Sequence, residues 1–232
     1  MRNTVPISTI IRLSAITVGG TLFALIIPAG YDPLFRSLDV AVALFGGVIF
    51  ATLISHALER RRRLLESVRT ELNKLRRLYH LSKTLGEDAV KYRGWFTELH
   101  GLMYGYHMMF SGKNFDSYDN FNPEFRKLSY HVYQIPSVDT PKDQALYADI
   151  LSTTAVVAEA RQRINELWDE RFSTYIWVSV LLMAAAIIVA AALGTADTLD
   201  SRLAAAAVIV SVLLTVDLLW KIDSMRSERK SL

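Results

Sequence analysis

Four apolar runs, each close to the length of a membrane-crossing helix, constrain this chain more than any other feature. They extend from about Val5 to Ala29, Leu38 to Leu58, Phe172 to Leu193 and Leu203 to Trp220. A helix needs roughly 20 apolar residues to cross the hydrocarbon core of a bilayer. Backbone polar groups in lipid must be satisfied within the segment, so each run reads as a transmembrane helix. The overall 51% hydrophobic and 21% charged content averages over sharply segregated regions. The fold class expected is therefore all-α: a polytopic membrane protein with four transmembrane helices and a helical insert between spans two and three. The divisions are 1–58 for spans one and two, 59–171 for a cytoplasmic helical domain, 172–220 for spans three and four, and 221–232 for a basic tail. The first run is expected to be a retained span. Only Arg2 precedes Arg12, the apolar part is long for a signal peptide, and "PAGYDP" is a poor cleavage site.

Charge gives the orientation. Arg60, Arg61, Arg62 and Arg63, then Arg69, Lys74, Arg76 and Arg77, follow the second run, and Lys221, Arg226, Arg229 and Lys230 follow the fourth. The loop "GTADTLDSR" between spans three and four holds Asp197 and Asp200 against one arginine. Lysine and arginine accumulate on the cytoplasmic side, which places both termini and the insert there. The same cations would attract anionic lipid headgroups. A formal net charge of +3 does not imply nucleic-acid binding, and the absence of cysteine excludes disulfides, thiol catalysis and cysteine-ligated metal.

The insert reads as helical. No Gly or Pro interrupts Thr52 to Leu85, and Leu65, Val68, Leu72, Leu75 and Tyr79 keep a 3-4 spacing, so span two should continue outward as one long helix. Ahead of span three, Ile150, Thr153, Val157, Ala160, Ile164 and Leu167 repeat that spacing, with Thr140 and Pro141 suited to the helix start. Glu159, Glu166, Asp169 and Glu170 are placed to face the basic helix. Between these helices, "VKYRGWFTELHGLMYGYHMMF" carries Gly101 and Gly105, a spacing that lets helices approach closely. "PEFRKLSYHVYQI" should form a short helix, and the preceding "SGKNFDSYDNFNP", with Asp116 and Asp119, a solvated loop.

No catalytic motif is present. "GKN" at Gly112 lacks the spacing of a phosphate loop. His100 and His107, two helical turns apart with Glu98 nearby, read as core histidines among aromatics rather than metal ligands. The expectation is a chain that is not an enzyme and holds no metal or cofactor. Two sets of intramembrane residues carry more information. Arg12 and Asp217 lie at matching depths, near the cytoplasmic ends of spans one and four, and can pair across them. On span two, Ala41, Phe45, Val48, Ile49, Thr52 and His56 share one helical face. In a ring of copies that face would form a hydrophobic constriction, although an apolar face on a span also suits lipid.

This order of two spans, helical insert and two spans resembles the bestrophin-like domain family, related in architecture to bestrophin channels. The segments that carry the resemblance are "SVRTELNKLRRL", with Glu71, and "AEARQRINEL", with Arg161 and Arg163. The resemblance implies a homo-oligomer about a central axis, a pentamer, with span two lining a path for inorganic ions, anions favoured. Phe45, Val48, Ile49, Thr52 and His56 would then line the pore, with Arg60–Arg63 at its cytoplasmic mouth. The acidic calcium clamp of animal bestrophins is not visible. The expected location is a prokaryotic cytoplasmic membrane. Two functional readings stay open: an oligomeric ion channel, and a non-conducting scaffold or sensor whose helical domain binds a partner or ligand.

Overall fold

The computed structural model describes residues 7–26, 33–111 and 122–224. Asp116, Asp119, Arg226, Arg229 and Lys230 lie outside the described residues. Every element is a helix: α1 (Ile7–Ile26), α2 (Pro33–Asp88), α3 (Val90–Ser111), α4 (Asn122–Val132), α5 (Pro141–Asp169), α6 (Thr174–Leu193) and α7 (Leu199–Asp223). Helix α2 has 56 residues. At 1.5 Å per residue it is about 84 Å long, consistent with the lack of breakers between Gly47 and Gly86. Its last turn holds Gly86, where an added Cβ would stand 2.7 Å from the Cβ of Phe96. Only glycine lets α3 fold back so tightly after the single linking residue Ala89. Helix α5 starts where its sequence signals: the Thr140 hydroxyl accepts from the Asp143 N–H at 3.1 Å, with Pro141 just inside.

The chain divides into two compact units. The first comprises Met1–Glu59 with Phe172–Ser224. Its core joins Phe50 and Ala57 of α2 to Val180, Ala184 and Ile187 of α6 and Val212 and Leu219 of α7. Helix α1 packs on α7 through Ala24, Ala206 and Ile209. Among the described residues four helices are long and apolar enough, by length and composition, to cross a membrane, yet only 11–28% of each apolar window is buried within the chain. So much outward apolar surface (Ile11, Val18, Phe23, Leu44, Leu182 and Leu203 among it) is stable only in apolar surroundings. This is a membrane protein.

The second unit, Arg60–Arg171, has a different interior. Tyr92, Trp95, Leu99, Met103 and Tyr106 of α3 are buried against Leu75, Leu78 and Leu85 of α2, Leu128 and Val132 of α4, and Ile150 and Val157 of α5. Leu64, Val68, Ile164 and Leu167 close a second cluster. The buried aromatics keep their polar atoms bonded. Trp95 Nε1 donates to the His131 carbonyl at 3.0 Å, and His131 Nε2 lies 3.0 Å from the Trp95 carbonyl.

Three expectations need correction here. The buried line of α2 is Leu64, Val68, Glu71, Leu75, Leu78, Ser82 and Leu85, while Leu65, Leu72 and Tyr79 are only half-buried flanks. Gly101 and Gly105 are exposed, with nothing within 4 Å of an added Cβ, so no helix among the described residues approaches them. Glu159, Glu166 and Asp169 are exposed, and Glu166 accepts a hydrogen bond from Gln162 instead of meeting α2. Two other pairs link α2 and α5: Arg77 with Asp149 at 3.6 Å, and Lys142 with Asp88 at 2.7 Å.

Candidate functional site

Helix α2 contributes to both units, and each of its segments carries a candidate site. In the first unit its buried side is set by Phe50, Ile54 and Ala57, packed toward α6 and α7. Gly46 allows this, since a Cβ there would lie 2.5 Å from Ile187 Cδ1. A helix so anchored must turn its other side outward. Ala41, Phe45, Val48 and Thr52 are exposed, Phe45 at 70% and Val48 at 62%, while Ile49 is half-buried at the edge. Thr52 returns its hydroxyl to the Val48 carbonyl at 2.9 Å, so it adds no unsatisfied donor to that surface. His56 is exposed, but its ring stacks on Phe172 with centroids 6.0 Å apart.

The four arginines after this face do not share one environment. Arg60 is 2% exposed and donates to the Glu170 carbonyl at 2.8 Å, next to the C-terminus of α5. A cation there complements the partial negative charge of the helix end. Arg60 therefore caps α5 instead of presenting charge to solvent, a correction to its place at a mouth. Arg62 and Arg63 are exposed and Arg61 is intermediate.

Arg12 and Asp217 meet. The Arg12 guanidinium donates to the Asp217 carboxylate at 2.8 Å, with 46% and 16% of the side chains exposed. The contact ties α1 to α7, which also touch at Gly20, whose added Cβ would stand 3.0 Å from Val210 Cγ2. A second carboxylate in this unit escaped notice in the sequence. Asp223 is buried, accepting from the Phe172 N–H at 3.3 Å and from Trp177 Nε1 at 3.2 Å.

The second unit holds a buried charged network. Glu71 on α2, Tyr106 on α3 and Arg161 on α5 are each almost fully buried. The Arg161 guanidinium donates to the Tyr106 hydroxyl, which donates to the Glu71 carboxylate. The guanidinium also lies over the Tyr106 and Phe125 rings, 5.6 and 5.4 Å from their centroids. Burial first, then the Glu71 charge, pushes the Tyr106 hydroxyl far above the usual tyrosine range. It stays neutral and bridges the two charges. Such groups are tolerable in a core only when paired and hydrogen-bonded. Glu71 and Arg161 lie in the two segments that carry the family resemblance, and Tyr106 is the member that sequence reading missed. The sequence marks Glu71 alone as a stripe residue, three after Val68 and four before Leu75, and nothing local marks Tyr106 as its partner.

His100 packs between Tyr79 and Phe96, with ring centroids 5.2 and 6.0 Å away. Among the described residues no group of three or more His, Asp or Glu is placed to hold a metal ion.

Comparison with known proteins matches the Bestrophin-like domain to residues 38–224. No curated protein and no solved structure matches the chain. The family match runs from within α2 to the C-terminus of α7 and covers most of the sequence, and the chain belongs to the bestrophin-like family.

Proposed function

We propose that this protein is an oligomeric ion channel that conducts anions, with the outward face of α2 lining the path. Family membership supports an ion-channel kind of function. The observation that carries the reading further is the face formed by Ala41, Phe45, Val48 and Thr52. It has no cover within the chain, although the opposite side of the same helix is firmly packed. A ring of such faces, five in a pentamer, would surround a narrow apolar passage that gates by wetting and drying. Arg61–Arg63 would raise the local anion concentration beyond it. The reading assigns no catalysis, metal or cofactor to the chain.

Flux through purified protein in liposomes tests this. Val48→Ser should raise anion flux by wetting the passage. Leu58→Ser, an exposed position off that face, should not. If verified, inserted oligomers of the parent and Val48→Ser carry no current, the competing reading of a non-conducting scaffold or sensor replaces the channel.

The proposed topology has four spans, with both termini and residues 59–171 in the cytoplasm, supported by the cations after spans two and four. Because the chain lacks cysteine, Asp200→Cys and Ser137→Cys can be labelled one at a time. An impermeant maleimide should reach Asp200→Cys in intact cells and Ser137→Cys only after permeabilisation. The reverse pattern would invert the topology.

A further inference from the structure

A groove of about 480 Å³ opens between α2 and α3 of the second unit, and it shares no lining residue with the outward face proposed above to line an ion path. Its floor is apolar: Leu72, Leu75 and Met103, with the Tyr79 ring alongside. Its rim is a set of donors. Arg76 stands on α2, and His100 and His107 are two turns apart on α3. Asn73 adds an amide and Tyr104, which is exposed, a hydroxyl.

Among the described residues no carboxylate lines this groove. The acids nearest in sequence are turned elsewhere, Glu71 to Tyr106 and Glu98 to His131 at 3.9 Å. Arg76 has no ion pair or hydrogen bond to any described residue, whereas its neighbour Arg77 is paired with Asp149. A volume of this size matches small-molecule sites, which combine an apolar lining with a few placed polar groups.

We infer that this groove binds a small dissolved amphipathic acid, a flat apolar body with one carboxylate, whose head is held by Arg76 and His107 while its body lies on Leu72, Leu75 and Met103. Charge complementarity selects the acid: the described lining supplies a permanent cation, Arg76, and several donors, and no described group in it repels an anion. The shape selects the body, because inorganic anions would leave the apolar floor wet. The inference does not depend on whether the protein conducts.

Full-length protein in nanodiscs of zwitterionic lipid tests it by equilibrium dialysis, with empty discs as the blank. The probes are 2-naphthoate, neutral 2-naphthalenemethanol, which has the same ring body, and acetate, which has only the charge. Saturable 2-naphthoate binding is expected, with both comparison probes at least tenfold weaker. Arg76→Gln removes a charge-assisted contact and should weaken 2-naphthoate about tenfold or more. His107→Gln should weaken it by less. Arg77→Gln removes the same charge one residue outside the groove and should leave affinity unchanged. Arg76, Arg77 and His107 are exposed, so these variants should fold normally. Binding no greater than in empty discs overturns the inference, as does equal affinity for the neutral probe. Equal weakening by Arg76→Gln and Arg77→Gln would reduce the site to a diffuse basic surface and also overturn it. An interchain disulfide through Tyr104→Cys would assign the groove to a second copy of the chain instead.

Discussion

The two units of this protein solve the packing problem with different residues. Residues 7–59 and 172–224 bring helices together through small side chains: Gly20 against Val210, Gly46 against Ile187, and Ala24 against Ala206 and Ile209. Residues 60–171 fill their core with Leu78, Leu85, Tyr92, Leu99, Tyr106 and Leu128, all fully buried. The topology proposed above accounts for the contrast through solvent. Among lipid tails, burying a leucine against another helix brings little hydrophobic gain, so association relies on close backbone approach. A fully buried large apolar side chain in a water-facing domain contributes about 1.5–3 kcal/mol. The units also differ in how they treat charge. The membrane unit leaves Arg12 half-exposed in its pair with Asp217, whereas the other encloses Glu71 and Arg161 completely. The membrane unit also buries a carboxylate, Asp223, held by the Phe172 N–H and Trp177 Nε1, and the desolvation cost of the Glu71–Arg161 network is offset by its pairing and hydrogen bonds.

The sharpest test removes one charge from that network. Glu71→Ala leaves Arg161 buried without its carboxylate and should destabilise residues 60–171 by about 3–5 kcal/mol. Loss of the helical signal on heating in detergent reports it. The paired change Glu71→Leu with Arg161→Met should be far milder than two single losses, because no charge stays behind. If the double variant is as unstable as the sum, the network is not one unit, and the contrast in charge handling fails.

The second test uses the bridging hydroxyl. Tyr106→Phe removes hydrogen bonds to two charged groups and should cost about 1.5–3 kcal/mol. Its pH dependence has a defined sign. The Tyr106 hydroxyl is raised in the folded state, mainly by burial. Its contribution is therefore complete below the unfolded tyrosine value of about 10 and declines as pH rises above it. Parent protein should lose stability above that pH more steeply than Tyr106→Phe. Parallel curves would mean that the hydroxyl is not held neutral by this site.

How far these features were legible depended on which residues occupy the stripes. The α5 stripe Ile150, Thr153, Val157, Ala160, Ile164 and Leu167 is buried throughout, because its members are apolar or small and reveal the helical period directly. In α2 the same reading landed one position away. Ser67, Glu71 and Ser82 are buried but polar, so counting apolar residues moved the line onto Leu65, Leu72 and Tyr79. The long apolar helices were legible because their apolar runs are long and nearly uninterrupted. The meeting of Arg12 with Asp217 followed from matched depth. The triad was not legible, since Tyr106 reaches Glu71 and Arg161 through a tertiary arrangement that no local spacing encodes. Gly101 and Gly105 misled for a related reason: small residues four apart permit a close approach but do not supply the partner.

Those glycines give the smallest and most discriminating comparison. Gly20 faces a stiff β-branched neighbour, with Val210 Cγ2 3.0 Å from an added Cβ and Leu213 Cδ1 at 3.4 Å. Gly20→Leu should overpack the α1–α7 contact and cost about 1–3 kcal/mol, read as a lower melting temperature in detergent. Gly101 meets nothing within 4 Å and sits in the interior of α3. There, glycine costs conformational entropy without allowing any contact within the chain. Gly101→Ala should therefore stabilise by about 0.5–1 kcal/mol, the ordinary helix-propensity difference. Opposite signs at the two sites would support the division between a membrane unit that needs its glycines for packing and a second unit that does not. If Gly101→Ala instead destabilises the assembled protein while leaving dissociated subunits unaffected, the α3 face carrying Gly101 and Gly105 packs against another copy of the chain. The contrast would then hold within one subunit but not across the assembly.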